Sequence, residues 1–310
     1  MKADKELIIV FLLVLIVGII YFFVENQIAF LNFFYLPVVL GAFFSGKKHG
    51  TYSALLSVLM IVCLAYFIPN TLSYDSKTDS SVNKWLDITI WGSFLIVTGY
   101  SMGYLYEKKE LYNKELNTTY HGIITMLSIV IDSVDKYTQN HAYRVSMYAE
   151  KIARAAGLTN SEVQDIKTAS LLHDIGKIGV SAEILNKIGK LTEDEKKEMM
   201  KHTGKASEFL EPVGGRILKI LPLILGHHER YDGKGYQALI GDSIPIGARI
   251  IAVADVYDAL TTDRPYRKAL SPLDGKNEIL KGSGSHFDPE IVKYFDKVFT
   301  SIDEFETNPA

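Results

Sequence analysis

Histidine and acid side chains recur through one stretch of this 310-residue chain in a pattern suited to metal binding. The pairs His173-Asp174 and His227-His228 are its densest points, and His141, His202 and Asp255 are spaced among them. Five of the eight histidines belong to this set, and the single cysteine lies outside it. Neutral imidazole and carboxylate bind Zn, Fe, Mn or Ni. The set therefore predicts a site for divalent metals.

Each candidate also has a structural interpretation. A lone histidine such as His202 on an apolar helix is more often a core residue than a ligand. Asp174 follows two leucines, where a buried carboxylate needs a cation, and Lys177 one turn later would serve as well as a metal. His227 and His228 point about 100° apart on a helix, so both reach one ion only at a helix end. Residues 229–235 contain two glycines and predict such an end.

Composition limits the classes of protein that this chain could be. The net charge of −3 predicts no surface for DNA or RNA duplexes. The hydrophobic fraction of 48% is concentrated before residue 107. Cys63, the only cysteine, excludes an intramolecular disulfide.

Four apolar runs occupy the first third of the chain, at residues 7–24, 28–45, 51–68 and 86–106. Each approaches the roughly 20 residues that cross a bilayer core of ~30 Å. We therefore expect residues 1–106 to form a four-helix transmembrane bundle; the alternatives are buried soluble helices or, for the first run, a signal peptide. Lysines flank the expected inner ends, which predicts a multi-pass cell-membrane protein with both termini in the cytoplasm. The loop 69–84 is either a solvated connector or a ligand sensor.

Residues 107–124 begin a connecting helix that carries a heptad pattern. Its a and d positions follow at spacings of four and three: Tyr112, Leu116, Thr119, Ile123, Met126 and Val130. This pattern predicts a parallel coiled coil and hence a homodimer. A single amphipathic helix packed on the following domain is the alternative.

From residue 125 onward the pattern is helical, with no alternating strand. Thr159 and Glu162 predict a capping box, as do Thr192 and Glu195 before a helix that reaches His202. A third helix is expected over 216–228, with a bend at Pro222, and a fourth over 245–261. Pro272 and Pro289 predict the starts of two more. The expected fold is all-α, with the candidate ligands on separate helices.

The chain from about residue 125 to 300 resembles the HD-GYP domains of the HD phosphohydrolase superfamily. The matching segments are Asp135–His141 with Arg144-Val145, His173–Gly179, Lys201-His202 with Leu210–Pro212, His227–Tyr236, Asp255–Leu260, Asp263–Lys268 and Gly282–Pro289. The resemblance assigns residues 125–310 to an all-helical HD-type metallo-hydrolase domain. The preceding membrane module resembles, more loosely, those found ahead of bacterial signalling enzymes.

The resemblance implies hydrolysis of cyclic di-GMP to the linear dinucleotide or GMP with the help of two divalent metal ions. Fe or Mn is the expected metal, and Zn or Ni is the alternative. Asp174 would bridge the ions and act in catalysis. One ion would bind His141, His173 and Asp255, and the other His202, His227 and His228. Lys177 would be catalytic and would bind substrate phosphate together with Arg264 and Arg267. The alternatives are another cyclic dinucleotide such as 3',3'-cGAMP, or a weakly catalytic regulator that binds nucleotide or signalling proteins.

Three positions depart from the family pattern. The signature Gly-Tyr-Pro is Gly235-Tyr236-Gln237 in this chain, which restores a backbone donor at position 237. Ala206 replaces a usual glycine. Tyr137 stands where some members have a ligating glutamate, so we expect two metals rather than three.

Overall fold

A computed structural model describes residues 2–24, 30–68, 72, 81–134, 140–187, 189–263 and 267–299. These residues are mostly helical and form no β-strand beyond one isolated bridge between Ser283 and Phe287, which confirms the all-α class. The chain divides into two compact units, Met1–Thr118 and Thr119–Ala310. The division falls inside the predicted connecting helix.

The first unit contains α1 (Lys2–Phe23), α2 (Tyr35–Phe67) and the start of α3 (Ser81–Val134). Gly46 interrupts α2 with a φ of 81°. A Cβ built on Gly50 would lie 2.7 Å from the Cβ of Ala42, whereas these residues would be about 12 Å apart along a straight helix. The two parts of α2 therefore fold back on each other at Gly46.

The helix boundaries yield two segments that could cross a membrane by length and composition, at Leu31–Phe67 and Lys84–Val134. A shorter apolar helix covers Leu7–Phe23. Among the described residues, the structure thus provides two candidate spans where the sequence predicts four. The second and third predicted runs are merged in α2, and the fourth continues into the connecting helix as α3.

The later part of α3 has one buried face and one exposed face. Ile124 and Ile131 are buried in the hydrophobic core of the second unit. The apolar members of the predicted a/d seam lie on another face and are 45–65% exposed: Tyr112, Leu116, Ile123, Met126 and Val130.

The rest of the second unit is a series of shorter helices. They are α4 (His141–Ala155), α5 (Asn160–Leu172), α6 (Ala182–Leu185), α7 (Glu193–Met200), α8 (His202–Leu210), α9 (Arg216–Leu225), α10 (Ile246–Thr261), α11 (Pro272–Lys281) and α12 (Pro289–Phe299). Two boundaries differ from prediction. The helix expected to reach His202 is divided into α7 and α8, and α9 ends at Leu225 rather than His228.

The starts of α5 and α7 show why these helices begin where they do. Thr159 accepts a hydrogen bond from the backbone N–H of Glu162, whose carboxylate accepts one from the Thr159 N–H at 2.8 Å. Thr192 and Glu195 form the same capping box. Both predicted boxes are confirmed. Such caps satisfy N–H groups that the first helical turn leaves unpaired.

A core of aliphatic side chains fixes the helices that carry the candidate ligands. Ile152 of α4, Ile166 of α5, Ile220 of α9 and Ile251 of α10 are all at most 2% exposed. Complete burial of such a side chain contributes roughly 1.5–3 kcal/mol. This packing holds the end of α5, the end of α9 and the middle of α10 in one place.

Candidate metal centre

The seven predicted ligands converge, although five separate segments of the chain supply them. They form two groups, in each of which one ligand atom per residue lies within 4.8 Å of every other. We call Asp174-His202-His227-His228 the four-ligand group and His141-His173-Asp255 the three-ligand group. The convergence itself is the feature that a metal centre requires.

Asp174 lies between the two groups. Its Oδ1 is 3.7 Å from His202 Nε2 in the four-ligand group. Its Oδ2 is 3.3 Å from His173 Nε2 in the three-ligand group. One carboxylate thus directs an oxygen toward each group, which is the geometry of a bridging ligand.

A tight turn presents His173 and Asp174. Both residues follow α5, and a 3₁₀ helix (Ile175–Gly179) begins directly after them. A Cβ on Gly176 would lie 1.7 Å from the carbonyl oxygen of His202, so only glycine permits this approach to α8. The glycine of the His-Asp-Ile-Gly segment therefore brings two ligand-bearing segments together.

The position at which α9 ends allows two adjacent histidines, which would point about 100° apart on a helix, to face one site. Because α9 stops at Leu225, His227 and His228 lie beyond the regular helix. Their ring centroids are 3.9 Å apart at an interplanar angle of 42°. The irregular backbone allows both rings to face the same space.

The same type of hydrogen bond to the backbone orients three of the histidines. The Nδ1 atoms of His173, His202 and His227 lie 2.6–2.7 Å from the carbonyl oxygens three residues earlier. Since a carbonyl only accepts, Nδ1 must carry a proton, and in the neutral ring Nε2 then carries the lone pair. Each of these Nε2 atoms is buried without a hydrogen-bond partner among the described residues. Buried polar atoms are normally satisfied, so these residues fit a metal.

The four-ligand group favours neutral imidazoles around an anionic carboxylate. Burial lowers the pKa of His202 and His227, and it lowers the pKa of His228 to about 4. Burial raises the pKa of Asp174, but the positive charges of His173 and Lys177 outweigh it and hold that pKa well below its usual value. At neutral pH this group is ready to bind a cation.

In the three-ligand group, His141 is paired with two carboxylates. His141 Nε2 lies 3.3 Å from Asp255 Oδ1, and its Nδ1 lies 2.7 Å from Asp258 Oδ2. Burial lowers the pKa of His141, but the hydrogen bonds to these two carboxylates outweigh it and raise the pKa to about 10. Burial likewise lowers the pKa of His173, and the charge of Asp174 more than reverses this effect.

Sequence reasoning missed Asp258 as a residue of the site. This buried acid contacts His141 and also accepts hydrogen bonds from Arg144 Nε at 2.6 Å and Nη2 at 2.9 Å. A carboxylate behind a ligating histidine fixes the tautomer and orientation of the ring. The signal in the sequence was its position three residues after Asp255, on the same face of α10.

Among the predicted catalytic and substrate-binding residues, Lys177 contacts a candidate ligand, whereas Arg267 contacts the backbone. Lys177 Nζ lies 2.7 Å from Asp174 Oδ2, so this lysine is at the centre. Arg267 donates to the backbone carbonyl of Ala259. Arg264 and Tyr137 lie outside the described residues. His286 accepts a hydrogen bond from the Tyr231 N–H through its backbone carbonyl.

A family model described as HD domain matches residues 125–291, which is more than half of the chain. The chain belongs to the HD domain family. This match covers the whole ligand set, from His141 to Asp255. It does not include the apolar first unit.

Curated relatives of this HD domain are named as cyclic dinucleotide phosphodiesterases. The chain is 36% identical over 196 residues to 3'3'-cGAMP-specific phosphodiesterase 2 of Vibrio cholerae, covering 63% of this chain and 37% of that protein. It is 37% identical over 198 residues to a probable cyclic di-GMP phosphodiesterase of the same organism, covering 58% and 45%. It is 41% identical over 171 residues to the cyclic di-GMP phosphodiesterase response regulator RpfG of Xanthomonas campestris, covering 54% and 45%. The chain thus spans less than half the length of these relatives.

A solved structure is also similar. The crystal structure of a cyclic GMP-AMP-specific phosphodiesterase of V. cholerae, V-cGAP3, has a TM-score of 0.47 at 18% identity, covering 58% of this chain and 48% of that chain.

Proposed function

We propose that this chain is a metal-dependent phosphodiesterase that hydrolyses cyclic di-GMP to the linear dinucleotide or GMP in bacterial second-messenger signalling. The observation that carries the proposal is the arrangement of two ligand groups around Asp174, with three buried imidazole nitrogens that have no hydrogen-bond partner among the described residues. The names of the curated relatives support a cyclic dinucleotide as the substrate.

The residues of the site have distinct tasks in this proposal. The four-ligand and three-ligand groups would each hold one divalent cation. Fe or Mn is the expected metal, and Zn or Ni is the alternative. Such a pair supplies a water that is nucleophilic near neutral pH and positive charge for the phosphate oxygens. Asp174 remains anionic and links the groups. Lys177, already beside Asp174, donates to an incoming phosphate, and Arg264 and Arg267 bind the substrate's phosphates.

The test is a product assay on the full chain in detergent, after its metal content has been measured. Cyclic di-GMP, 3'3'-cGAMP and cyclic di-AMP are incubated separately and the products are identified by chromatography. We expect a linear dinucleotide or GMP from cyclic di-GMP, and no product after chelation. Fully metallated protein that hydrolyses none of the three would overturn the proposal in favour of a nucleotide- or partner-binding regulator.

A preference for 3'3'-cGAMP is the second candidate. It is favoured by the relatives of V. cholerae that are named as specific for this dinucleotide, three of which are 36% identical to this chain. The same assay separates the two candidates through the ratio of kcat/KM for the two substrates.

We further propose that the first unit anchors the enzyme in the cell membrane through four helical segments, with both termini in the cytoplasm. The break at Gly46 supports this arrangement, because it divides α2 into two segments that reverse direction. The test uses a Cys63→Ser chain with a new cysteine either at Lys48 or in the segment 73–80, which lies outside the described residues. A membrane-impermeant maleimide should label intact spheroplasts only at this segment.

The exposed seam of α3 supports a homodimer. Its positions repeat with heptad spacing, and its apolar side chains remain 45–65% exposed in the described chain, which leaves this face available for an identical helix. In the Cys63→Ser background, Met126→Cys should form an intermolecular disulfide in membranes, whereas the exposed neighbour Thr125→Cys should not. Equal cross-linking at both positions would exclude this seam.

A further inference from the structure

The segment that follows the double histidine folds back onto it through a buried acid. Glu229 is 3% exposed, and its carboxylate accepts hydrogen bonds from the backbone N–H groups of Gln237 at 2.6 Å and Leu239 at 3.0 Å. Ala238 between them has a φ of 56°, in the left-handed region. This conformation turns the N–H groups of the residues on either side of Ala238 toward one anion.

Gly235 allows the segment to close tightly on its own start. A Cβ at this position would lie 2.5 Å from the Cα of Glu229 and 2.7 Å from the backbone nitrogen of Arg230. Contact at that distance leaves no space for any side chain. The segment is therefore held against Glu229 by shape as well as by hydrogen bonds.

Gln237 connects this segment to both flanks of the double histidine. Its backbone N–H binds Glu229, the residue directly after His228. Its side-chain Nε2 donates at 2.8 Å to the carbonyl oxygen of Leu225, the last residue of α9. Carbonyls at a helix end have no partner within the helix, so this bond satisfies one of them. A single residue thus joins the chain before His227 to the chain after His228.

The neighbouring Tyr236 is placed against the ligands as a result. Its ring centroid is 4.7 Å from that of His228 and 6.3 Å from that of His202. The ring therefore covers one side of the four-ligand group. Movement of the segment would displace this ring together with the backbone that carries His227 and His228.

We propose that Gln237 is a positioning residue, which holds His227, His228 and Tyr236 in the geometry that the four-ligand group needs to bind its cation. The inference rests on the metal centre proposed above. The HD-GYP signature has proline at this position, and proline has no N–H to donate to Glu229. This chain instead holds the segment with a pair of hydrogen bonds from glutamine.

The test compares two substitutions at this position in the full chain in detergent. Gln237→Ala removes the bond to Leu225 and keeps the backbone N–H, whereas Gln237→Pro removes both bonds. Mn²⁺ binding to metal-free protein is measured by equilibrium dialysis with elemental analysis. We expect about ten-fold weaker binding of one of two ions in Gln237→Ala, the loss typical of residues that orient ligands. Gln237→Pro should weaken that ion further.

Two controls separate positioning from a general effect on folding. Gln164→Ala on α5 is the matched substitution away from the centre and should bind both ions as the unaltered chain does. A purely structural role would lower the Tm of Gln237→Ala without changing its Mn²⁺ affinity below that temperature. That result would overturn the inference. If the unaltered chain itself fails to bind two ions, the proposed metal centre fails instead.

Discussion

The two ligand groups of the centre are adjacent but differ in the contacts that their side chains make with other residues. In the four-ligand group, His202 and His227 have lowered pKa values and buried Nε2 atoms without partners among the described residues. In the three-ligand group, His141 lies between two carboxylates, which raise its pKa to about 10. In the first group Asp174 is paired with Lys177 and two imidazoles have lowered pKa values, whereas in the second His141 is paired with two carboxylates that favour its protonated form.

The same residue types are therefore arranged in two different ways in the two candidate metal sites. Ligands must be deprotonated to bind, so a cation entering the three-ligand group has to displace the proton of His141. Asp258 favours that proton but also fixes the ring orientation that a metal needs. In the four-ligand group, His202 and His227 depend instead on burial and on the carbonyl contacts at Nδ1.

Loss of Asp174 should have the largest effect because this acid faces both groups. Asp174→Ala should remove both ions and lower kcat/KM by on the order of a thousand-fold or more, since a metal pair contributes several kcal/mol. Elemental analysis and the product assay measure the two effects. Asp194→Ala, at an exposed acid of α7, is the matched control. Near-normal activity in Asp174→Ala would contradict the shared role.

Removal of one histidine from each group sharpens the comparison. His202→Ala should lose the ion of the four-ligand group, and His141→Ala that of the three-ligand group, so each variant should retain one ion per chain. Either variant should lose most hydrolysis, because both ions are required. Metal content after dialysis gives the count. Loss of both ions in each variant would show that the groups bind as one unit.

Asp258→Asn tests the three-ligand group without touching a proposed ligand. The amide can still bond His141 but no longer supplies charge, and the bidentate contact with Arg144 is weakened. We expect a 10- to 100-fold loss of metal affinity at the three-ligand group, with the four-ligand group unchanged. A Mn²⁺ isotherm that resolves two ions provides the measurement. An equal loss of metal affinity at both groups would show that Asp258 does not act on the three-ligand group alone.

The smallest expected effect comes from the helices behind the three-ligand group. Glu150 of α4 pairs with Lys167 of α5 at 2.6 Å and with Arg154 at 2.7 Å. Hydrogen bonds from Lys167 and Arg154 lower the pKa of Glu150 below its ordinary value of 4.5. Its stabilising contribution is therefore complete above pH 4.5 and is lost as pH falls through the lowered pKa.

Glu150→Gln should accordingly reduce stability at neutral pH by less than about 1 kcal/mol. Thermal unfolding of metal-free protein should show a difference from the unaltered chain that shrinks below pH 4.5. Metal affinity should not change. A large loss of affinity would mean that this ion pair, and not the core, sets the spacing of α4 and α5.

Local elements were predictable where the cause is local. The capping boxes at Thr159 and Thr192 and the helix starts at Pro272 and Pro289 were predicted from a few adjacent residues. Predicted helix boundaries were wrong where contacts with residues distant in the chain determine the end of the helix. The helix expected to end at His228 stops at Leu225, and Gln237 from a later loop donates to the carbonyl at that end.

The sequence by itself determined which residue types are available as ligands, where helices can begin and which segments are apolar enough for a membrane. Those properties depend on side-chain chemistry and on spacings of a few residues. Tertiary structure alone decided that Asp174 faces both groups, that Asp258 supports His141 and that Gln237 joins the flanks of the double histidine. The physical reason is that hydrogen bonds and charge interactions act over a few ångströms, and only folding brings residues so far apart in the chain within that distance.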